Sequence, residues 1–184
     1  VLILKGHMKD TVKNNPKVMK WKDYVKKAVK DNDMDDSWVD MVLCMMQQES
    51  GGGTTDLMQC GAMTQIESIN TGVRILKQNC INVCNKKNVA DLKMVLCCYN
   101  HGQSFADYIV KNYKSKYEVK ASKKFCAEHL ASYNATSSKK ITVWGDPLYA
   151  AHVLQYYSFD SMVLQDDKDI DKSKWSDKDK KNVS

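Results

Sequence analysis

Apolar residues recur three and four positions apart along most of the chain, and this helical spacing limits the fold more than any other feature. Stripes of this kind begin at about residues 21, 36, 68, 89, 105, 118 and 146. No alternating stretch of strand length stands out, and residues 139–145 are the only candidate for a short extended piece. The sequence therefore predicts an all-α fold.

The length of 184 residues fits one domain with extensions. All the helical stripes fall within residues 14–159, which we assign to one compact helical domain. Residues 1–13 include VLIL and GHM and are interpreted as an N-terminal extension or a linker or tag remnant. Residues 160–184 mix Asp and Lys with little periodicity and are interpreted as a charged C-terminal tail or linker. No run of about 18 uncharged apolar residues occurs, so no membrane span is expected in this chain.

The net charge of +6 comes from 28 basic and 22 acidic side chains, and Arg74 is the single arginine. Proteins that read base edges rely on arginine forks, so no specific nucleic-acid partner is expected. A lysine-rich surface attracts polyanions in general, including the anionic polymers of a bacterial wall. A merely solvated lysine surface has the same composition, and both interpretations stay open.

Seven cysteines are present, and no two of them have the C-x-x-C spacing. Cys80 and Cys84 lie four residues apart on a predicted helix, while the histidines are scattered, so no zinc spacing emerges. Free thiols at core positions, one or two disulfides, and a metal site are the three interpretations. No cofactor is expected.

One glutamate ends an apolar helical run and is followed at once by three glycines, in MMQQESGGGTTDLMQC at residues 45–60. Burial and the partial negative charge at a helix C-terminus both disfavour a carboxylate, so we expect a raised pKa for Glu49. A carboxylic acid that stays protonated near neutral pH is what glycosidic cleavage requires of its general acid. The alternative is that Glu49 is a polar helix-end residue beside a flexible loop.

The Glu-Ser-Gly, Met-Gln and Tyr-Asn-x-Gly elements of QQESGGGTTDLMQ and CCYNHG resemble the signature of lysozyme-like muramidases and lytic transglycosylases. Further similarity is found in NPKVMKWKDYVKKAV, SINTGVRIL, DYIVKN and WGDPLYAAHVLQYY. Between about residues 15 and 157 the chain resembles the lysozyme-like domain of the CwlT-type cell-wall hydrolases, which conjugative elements of low-GC Gram-positive bacteria carry. The resemblance implies a helical fold like that of goose-type lysozymes and soluble lytic transglycosylases. It also implies peptidoglycan glycan strands as substrate.

The same resemblance implies an extracellular or wall-associated location. A membrane anchor in the full-length protein is one option that it leaves open. Proteins of a conjugation or secretion apparatus are further candidate partners.

The resemblance also implies roles for individual residues. Glu49 matches the catalytic acid that protonates the bond between N-acetylmuramic acid and N-acetylglucosamine, and Asp56 matches the acidic residue of the following loop. The positions expected to contact substrate are Ser50, Gln59, Tyr99, Asn100 and Tyr156. Amide and phenol groups suit sugar hydroxyls because they form hydrogen bonds without adding charge. Core packing is the alternative for Tyr99, which lies on an apolar stripe.

The chain departs from the family pattern after Met-Gln. Ala62 stands where a second glutamate is usual, and only CGAMTQIE separates Gln59 from Ser68. The loss of a second acid suits a lytic transglycosylase, in which the 6-hydroxyl of the muramic acid displaces the bond. A catalytically idle wall-binding or scaffold module is the alternative from a different class.

Overall fold

The computed structural model describes residues 1–164, most of which are helical. These residues form two compact units, one made of residues 1–73 and 156–164, the other of residues 74–155. Residues 165–184, the larger part of the predicted tail, lie outside the described residues. The predicted boundaries at 14 and 159 stay a prediction.

The first unit is built around one buried helix. Its elements are β1 (Leu2–Met8), α1 (Asp10–Lys13), α2 (Pro16–Met19), α3 (Lys22–Asp31), α4 (Trp38–Glu49), α5 (Gln65–Ile75), which runs on into the second unit, and β2 (Tyr157–Leu164). Every residue of α4 from Trp38 to Met46 is buried except Asp40. A helix that is apolar on nearly all sides belongs in a core, and α4 therefore gives a rigid support to whatever its C-terminal end carries.

The prediction of an all-α fold is wrong in one respect, because β1 and β2 pair as a two-stranded antiparallel sheet. Leu2, Leu4 and Met8 of β1 are buried, and the Trp38 indole donates a hydrogen bond to the Leu2 carbonyl at 2.9 Å. Residues 1–13, expected to be an extension, thus contribute to the core. The last predicted helix, whose stripe begins at about residue 146, ends at Leu154, and the chain after it enters β2.

The start of α4 lacks the usual cap. Ser37 stands at the N-cap position, where a serine hydroxyl commonly accepts from the first turn, but its hydroxyl makes no capping hydrogen bond. Its Oγ instead accepts a hydrogen bond from the Leu4 amide at 2.9 Å, and the Asp40 carboxylate accepts one from the Met8 amide at 3.2 Å. Ser37 and Asp40, at the start of α4, therefore accept hydrogen bonds from two backbone amides of β1, those of Leu4 and Met8.

The second unit is helical throughout its regular elements. After α5 the chain continues as a π-helical segment (Leu76–Ile81) and then as α6 (Asn82–Lys86), α7 (Leu92–His101), α8 (Ser104–Asn112), α9 (Val119–Thr136) and α10 (Tyr149–Leu154). The predicted stripe from Ser68 onward is thus helical but contains a wider π turn. Residues 139–145, proposed as a short extended piece, are irregular and form no strand.

All seven cysteines are free thiols in the structure, and six of them are buried. The sulfurs of Cys84 and Cys98 lie 3.9 Å apart, a contact distance and not a bond. The interpretation of the cysteines as small apolar core residues therefore holds for this structure.

Candidate active site

Glu49 is the last residue of α4 and is half-buried. The helix ends there because Ser50 leaves helical geometry, with φ −142° and ψ −14°. The Gly51 amide donates to the Met46 and Gln47 carbonyls, both at 3.1 Å, and so satisfies carbonyls of the last turn. Glu49 is thus placed by the buried helix on one side and by a fixed turn on the other.

The first two glycines after the helix are required by the backbone. Gly51 and Gly52 have φ values of +62° and +77°. A Cβ atom at Gly52 would lie 2.4 Å from the Lys17 carbonyl oxygen, so the loop touches α2 directly. Beside this contact, the Asn15 amide donates to Gln47 Oε1 at 2.7 Å and to the Gly51 carbonyl at 3.3 Å. The loop after Glu49 is therefore packed on α2 and is not a flexible linker.

Ser50 ties the two ends of this loop together. Its hydroxyl donates to the Leu57 carbonyl at 2.8 Å and accepts from the Gly52 amide at 3.1 Å. Both bonds lie within the loop, so this side chain shapes the loop whether or not it also contacts substrate. The expected contact of Ser50 with substrate stays a prediction.

Asp56 is the centre of a second set of hydrogen bonds. Its Oδ1 accepts from the Ser68 hydroxyl at 2.6 Å and from the Cys60 amide at 3.1 Å, and its Oδ2 accepts from the Gly61 amide at 2.8 Å. The Ser68 oxygen in turn accepts from the Met58 amide at 2.8 Å. Asp56 and Ser68 thus fix residues 56–61 onto α5.

These contacts also set the charge of Asp56. Desolvation raises its pKa, but the hydrogen bonds from the Ser68 hydroxyl and from the Cys60 and Gly61 amides outweigh it, so the pKa lies below its ordinary value of 3.8. Asp56 is therefore a carboxylate at neutral pH and cannot serve as a proton donor there.

Gln59 lies exposed on the same loop, with an unusual φ of +51°. Its side-chain amide donates to the Asp56 carbonyl at 2.8 Å, which leaves its Oε1 as an acceptor directed away from that bond. Tyr156 is half-buried, and its carbonyl accepts from the Lys9 amide at 2.8 Å and from the Cys44 thiol at 3.3 Å.

Tyr99 and Asn100 belong to the second unit and lie at the end of α7. The Tyr99 ring stacks on the buried Tyr149 ring with centroids 6.4 Å apart and planes 18° apart. Asn100 Oδ1 accepts a hydrogen bond from the Asp146 amide at 2.8 Å and so fixes the chain that enters α10. Both side chains are half-buried and have structural partners within their own unit.

His101 follows this pair and is buried. Its Nδ1 lies 2.9 Å from Asn100 Oδ1, an acceptor, so Nδ1 carries the proton and Nε2 accepts from the Ser122 hydroxyl at 3.0 Å. Burial lowers the pKa of His101 to about 4, with the Asp146 charge opposing and His129 adding to the shift. The imidazole is neutral at pH 7 and holds Asn100 in place.

The structure therefore joins Ser50, Asp56 and Gln59 through one hydrogen-bonded loop that begins at Glu49, and it places Tyr99 and Asn100 in the other unit. Nothing in the helical spacing pointed to Ser68 or His101. In the sequence, Ser68 is a polar residue at the start of an apolar stripe, and His101 occupies the x position of Tyr-Asn-x-Gly. These two features are the ones that could have identified them.

Within residues 1–164, no group of three or more His, Cys, Asp or Glu side chains is arranged to hold a metal ion. The helices of this part of the chain are also too short or too polar to cross a bilayer.

A half-buried glutamate at the end of a core helix, followed by a fixed, glycine-rich loop, is the arrangement that the resemblance to lysozyme-like proteins implies. The comparison with known families agrees with that class. A model described as lysozyme-like matches residues 15–158, and the chain belongs to that family. Among curated proteins, the bifunctional muramidase/DL-endopeptidase CwlT of Bacillus subtilis (strain 168) is 28% identical over 156 residues. This similarity covers 80% of the chain and 44% of CwlT, so the chain matches less than half of that relative's length.

A solved structure from Staphylococcus aureus, described as similar to a lipoprotein of the NLP/P60 family, has the same fold. It superposes with a TM-score of 0.68 at 24% identity and covers 83% of this chain and 56% of its own. The predicted resemblance to a lysozyme-like domain of CwlT type is confirmed.

Proposed function

We propose that this chain is a peptidoglycan glycosidase that cleaves the β-1,4 bond between N-acetylmuramic acid and N-acetylglucosamine, with Glu49 as general acid. The observation that carries the proposal is the position of Glu49, half-buried at the C-terminal end of a core helix in a member of the lysozyme-like family. The name of the B. subtilis relative includes a muramidase activity.

The setting of Glu49 suits proton donation for two physical reasons. Partial removal from water favours the neutral carboxylic acid, and so does the negative end of the α4 dipole. Protonation of the glycosidic oxygen lets the bond break with an oxocarbenium-like transition state on the sugar. The rigid α4 and the fixed loop hold the donor in one geometry, which is what general acid catalysis requires.

Two substitutions test this role. Glu49→Gln keeps the shape of the side chain and removes the proton, and we expect it to abolish the clearing of purified cell walls. Glu67→Gln is the matched control, because Glu67 is an exposed acid near the same loop. Equal loss of clearing in both variants would count against Glu49 as the donor.

A lytic transglycosylase is the second candidate, and the contacts of Asp56 favour it. Both Asp56 oxygens accept hydrogen bonds from backbone amides of their own loop, and Ala62 replaces the usual second glutamate. A mechanism that needs one acid suits such a site, since the 6-hydroxyl of the muramic acid acts as the nucleophile. Product masses decide, because a 1,6-anhydro end lacks the water that a hydrolytic reducing end contains.

The biological setting belongs to the same proposal. An extracellular or wall-associated enzyme of this kind opens the wall locally, and conjugation or secretion is the process proposed for it. A catalytically idle wall-binding module is the remaining candidate, and it predicts wall binding without any cleavage by the wild-type protein.

A further inference from the structure

The net charge of the chain is concentrated in one short segment. Residues 9–30 contain eight lysines and two aspartates, which gives +6, and the whole chain of 28 basic and 22 acidic residues also carries +6. The 20 basic and 20 acidic residues outside the segment therefore cancel. The positive charge is thus a local property of α1, α2 and α3, and not a diffuse one.

Four of these lysines form what we call the lysine patch: Lys13, Lys17, Lys20 and Lys22. All four are exposed, and none forms an ion pair with a residue in the described part of the chain. Lys17 belongs to α2, and its backbone carbonyl packs against Gly52 in the loop after Glu49. Through Lys17, the lysine patch therefore has one member that borders the candidate active-site loop within the same unit.

A cluster of four aspartates lies at the other end of α4. Asp31, Asp33, Asp35 and Asp36 fall in the last turn of α3 and the segment that leads into the N-terminus of α4, whereas α2 contacts its C-terminal end through Asn15 and Gln47. Twelve helical residues separate these ends by about 18 Å. Since the Debye length at physiological salt is about 8 Å, the aspartates leave the lysine patch largely uncompensated. Asp10, three residues before Lys13, and Asp23 on α3 are the acids beside it in sequence, and Glu49 lies at the end of α4 that α2 contacts.

Two aromatic side chains lie among the lysines. Trp21 is half-buried and Tyr24 is 46% exposed, and their ring centroids are 5.6 Å apart with planes tilted by 60°. The Lys20 ammonium lies 5.3 Å from the Trp21 ring. An exposed aromatic edge next to point charges offers contact to the carbon atoms of a polyol or sugar as well as to its anionic groups.

We propose that the lysine patch, together with Tyr24, binds a polyol-phosphate polymer of the bacterial wall and thereby holds the chain against its substrate. Lysine ammonium groups bind phosphodiesters as point charges and do not read base edges, which fits a simple repeating polyanion. The tilt between Trp21 and Tyr24 offers no parallel pair of ring faces for stacking successive nucleotide bases, which favours a polyol over a single-stranded nucleic acid.

The experiment measures binding of a labelled poly(glycerol phosphate) chain by fluorescence anisotropy. The test variant carries Lys13→Gln, Lys17→Gln, Lys20→Gln and Lys22→Gln in one protein. The control changes four exposed lysines of the second unit that form no ion pair with a described residue, Lys93, Lys111, Lys123 and Lys139, to Gln. Both variants lose four charges, so a difference between them reports position and not net charge. All proteins also carry Glu49→Gln, which makes the result independent of any glycosidase activity.

We expect the test variant to bind at least tenfold more weakly at low salt and the control to bind within about threefold of the parent. The slope of log affinity against log salt should become shallower by up to about 3 in the test variant, by analogy with single-stranded nucleic acids, where each neutralised phosphate contributes about 0.7. Tyr24→Ala should weaken binding severalfold without changing that slope, since it removes no charge.

Three results would overturn the proposal. The first is equal weakening in the test and control variants, which would indicate attraction by net charge alone. The second is tighter binding of single-stranded DNA of the same charge than of poly(glycerol phosphate). The third is tighter binding to anionic lipid vesicles than to the polymer, which would make the surface a membrane contact.

Discussion

At the scale of single residues, the hydrogen-bonded pair of Asp56 and Ser68 decides how the loop after Glu49 is held. Four hydrogen bonds of 2.6–3.1 Å meet at this pair, and Ser68 is fully buried. The resemblance to muramidases implies a catalytic role for Asp56, whereas its contacts indicate a positioning role. The two roles make different predictions.

We expect Asp56→Asn and Ser68→Ala to lower kcat/KM on a soluble glycan fragment to a similar extent, on the order of tenfold, because each removes a hydrogen bond to a charged or buried group. The acidic limb of the pH profile should keep its position in both variants. A catalytic Asp56 would instead give a large loss in Asp56→Asn with a changed pH profile, and nearly normal activity in Ser68→Ala.

Motifs along the chain were enough to select Glu49, Ser50, Asp56 and Gln59 as one local group, because these residues lie within eleven positions of one another. Their partners could not be predicted in the same way. Ser68 lies on the next helix, and its orientation depends on how α5 packs. The contacts of a loop follow from tertiary structure, which helical spacing does not specify.

At the scale of elements, the turn between α4 and the loop depends on the contact of Gly52 with α2. Gly52→Ala would place a Cβ at φ +77° and 2.4 Å from a backbone oxygen. We expect a loss of about 3 kcal/mol or more in the free energy of unfolding, since a left-handed conformation alone costs about 1–2 kcal/mol and the clash adds to it. Urea unfolding measures the loss.

Gly53→Ala is the matched control for this substitution. The nearest atom to a Cβ at Gly53 is the Ser50 carbonyl oxygen at 3.6 Å, an ordinary contact. If both substitutions cost the same, the packing of Gly52 on α2 is not what fixes the loop.

The sheet is the element that helical periodicity missed. β1 and β2 come from opposite ends of the described chain, and β2 alternates apolar and polar residues only from Tyr157 to Asp160, before Ser161 and the apolar run at 162–164 break the pattern. Burial of β1 depends on the side chains at the start of α4, and a local pattern cannot show that. Buried helices were easier to predict, because α4 carries its apolar pattern within twelve consecutive residues.

The structure predicts that β1 contributes to stability. Leu4 is 3% exposed, and Leu4→Ala should cost about 2–4 kcal/mol in the free energy of unfolding. The adjacent Lys5 is exposed, so Lys5→Ala should change stability by less than about 0.5 kcal/mol. A negligible effect of Leu4→Ala in thermal unfolding would support the original interpretation of residues 1–13 as a dispensable extension.

At the scale of the whole molecule, acid stability depends on the buried His101. The unfolded chain takes up a proton near pH 6.5, whereas the folded chain does so only at about pH 4. Because the unfolded state binds more protons between these values, the free energy of unfolding falls as the pH drops through this window. The full effect is about 3 kcal/mol at 1.36 kcal/mol per pKa unit.

Urea unfolding at pH 7.5 and pH 4.5 checks this prediction. His101→Gln keeps groups for hydrogen bonds to Asn100 and Ser122 but does not titrate, so it should lose less stability between these pH values than the wild type does. An equal loss in both proteins would assign the acid sensitivity to other groups.

The central claim is that a proton from Glu49 cleaves the glycan strand, and product analysis of digested peptidoglycan tests it most directly. Purified peptidoglycan is incubated separately with the wild type, with Glu49→Gln and with Glu67→Gln, and the masses of the soluble fragments are determined by mass spectrometry. We expect new muramic acid ends, reducing or 1,6-anhydro, from the wild type and from Glu67→Gln. We expect Glu49→Gln to release fewer of these fragments by a factor of about 100 to 10,000. Release of the same fragments at the same rate by Glu49→Gln would contradict it.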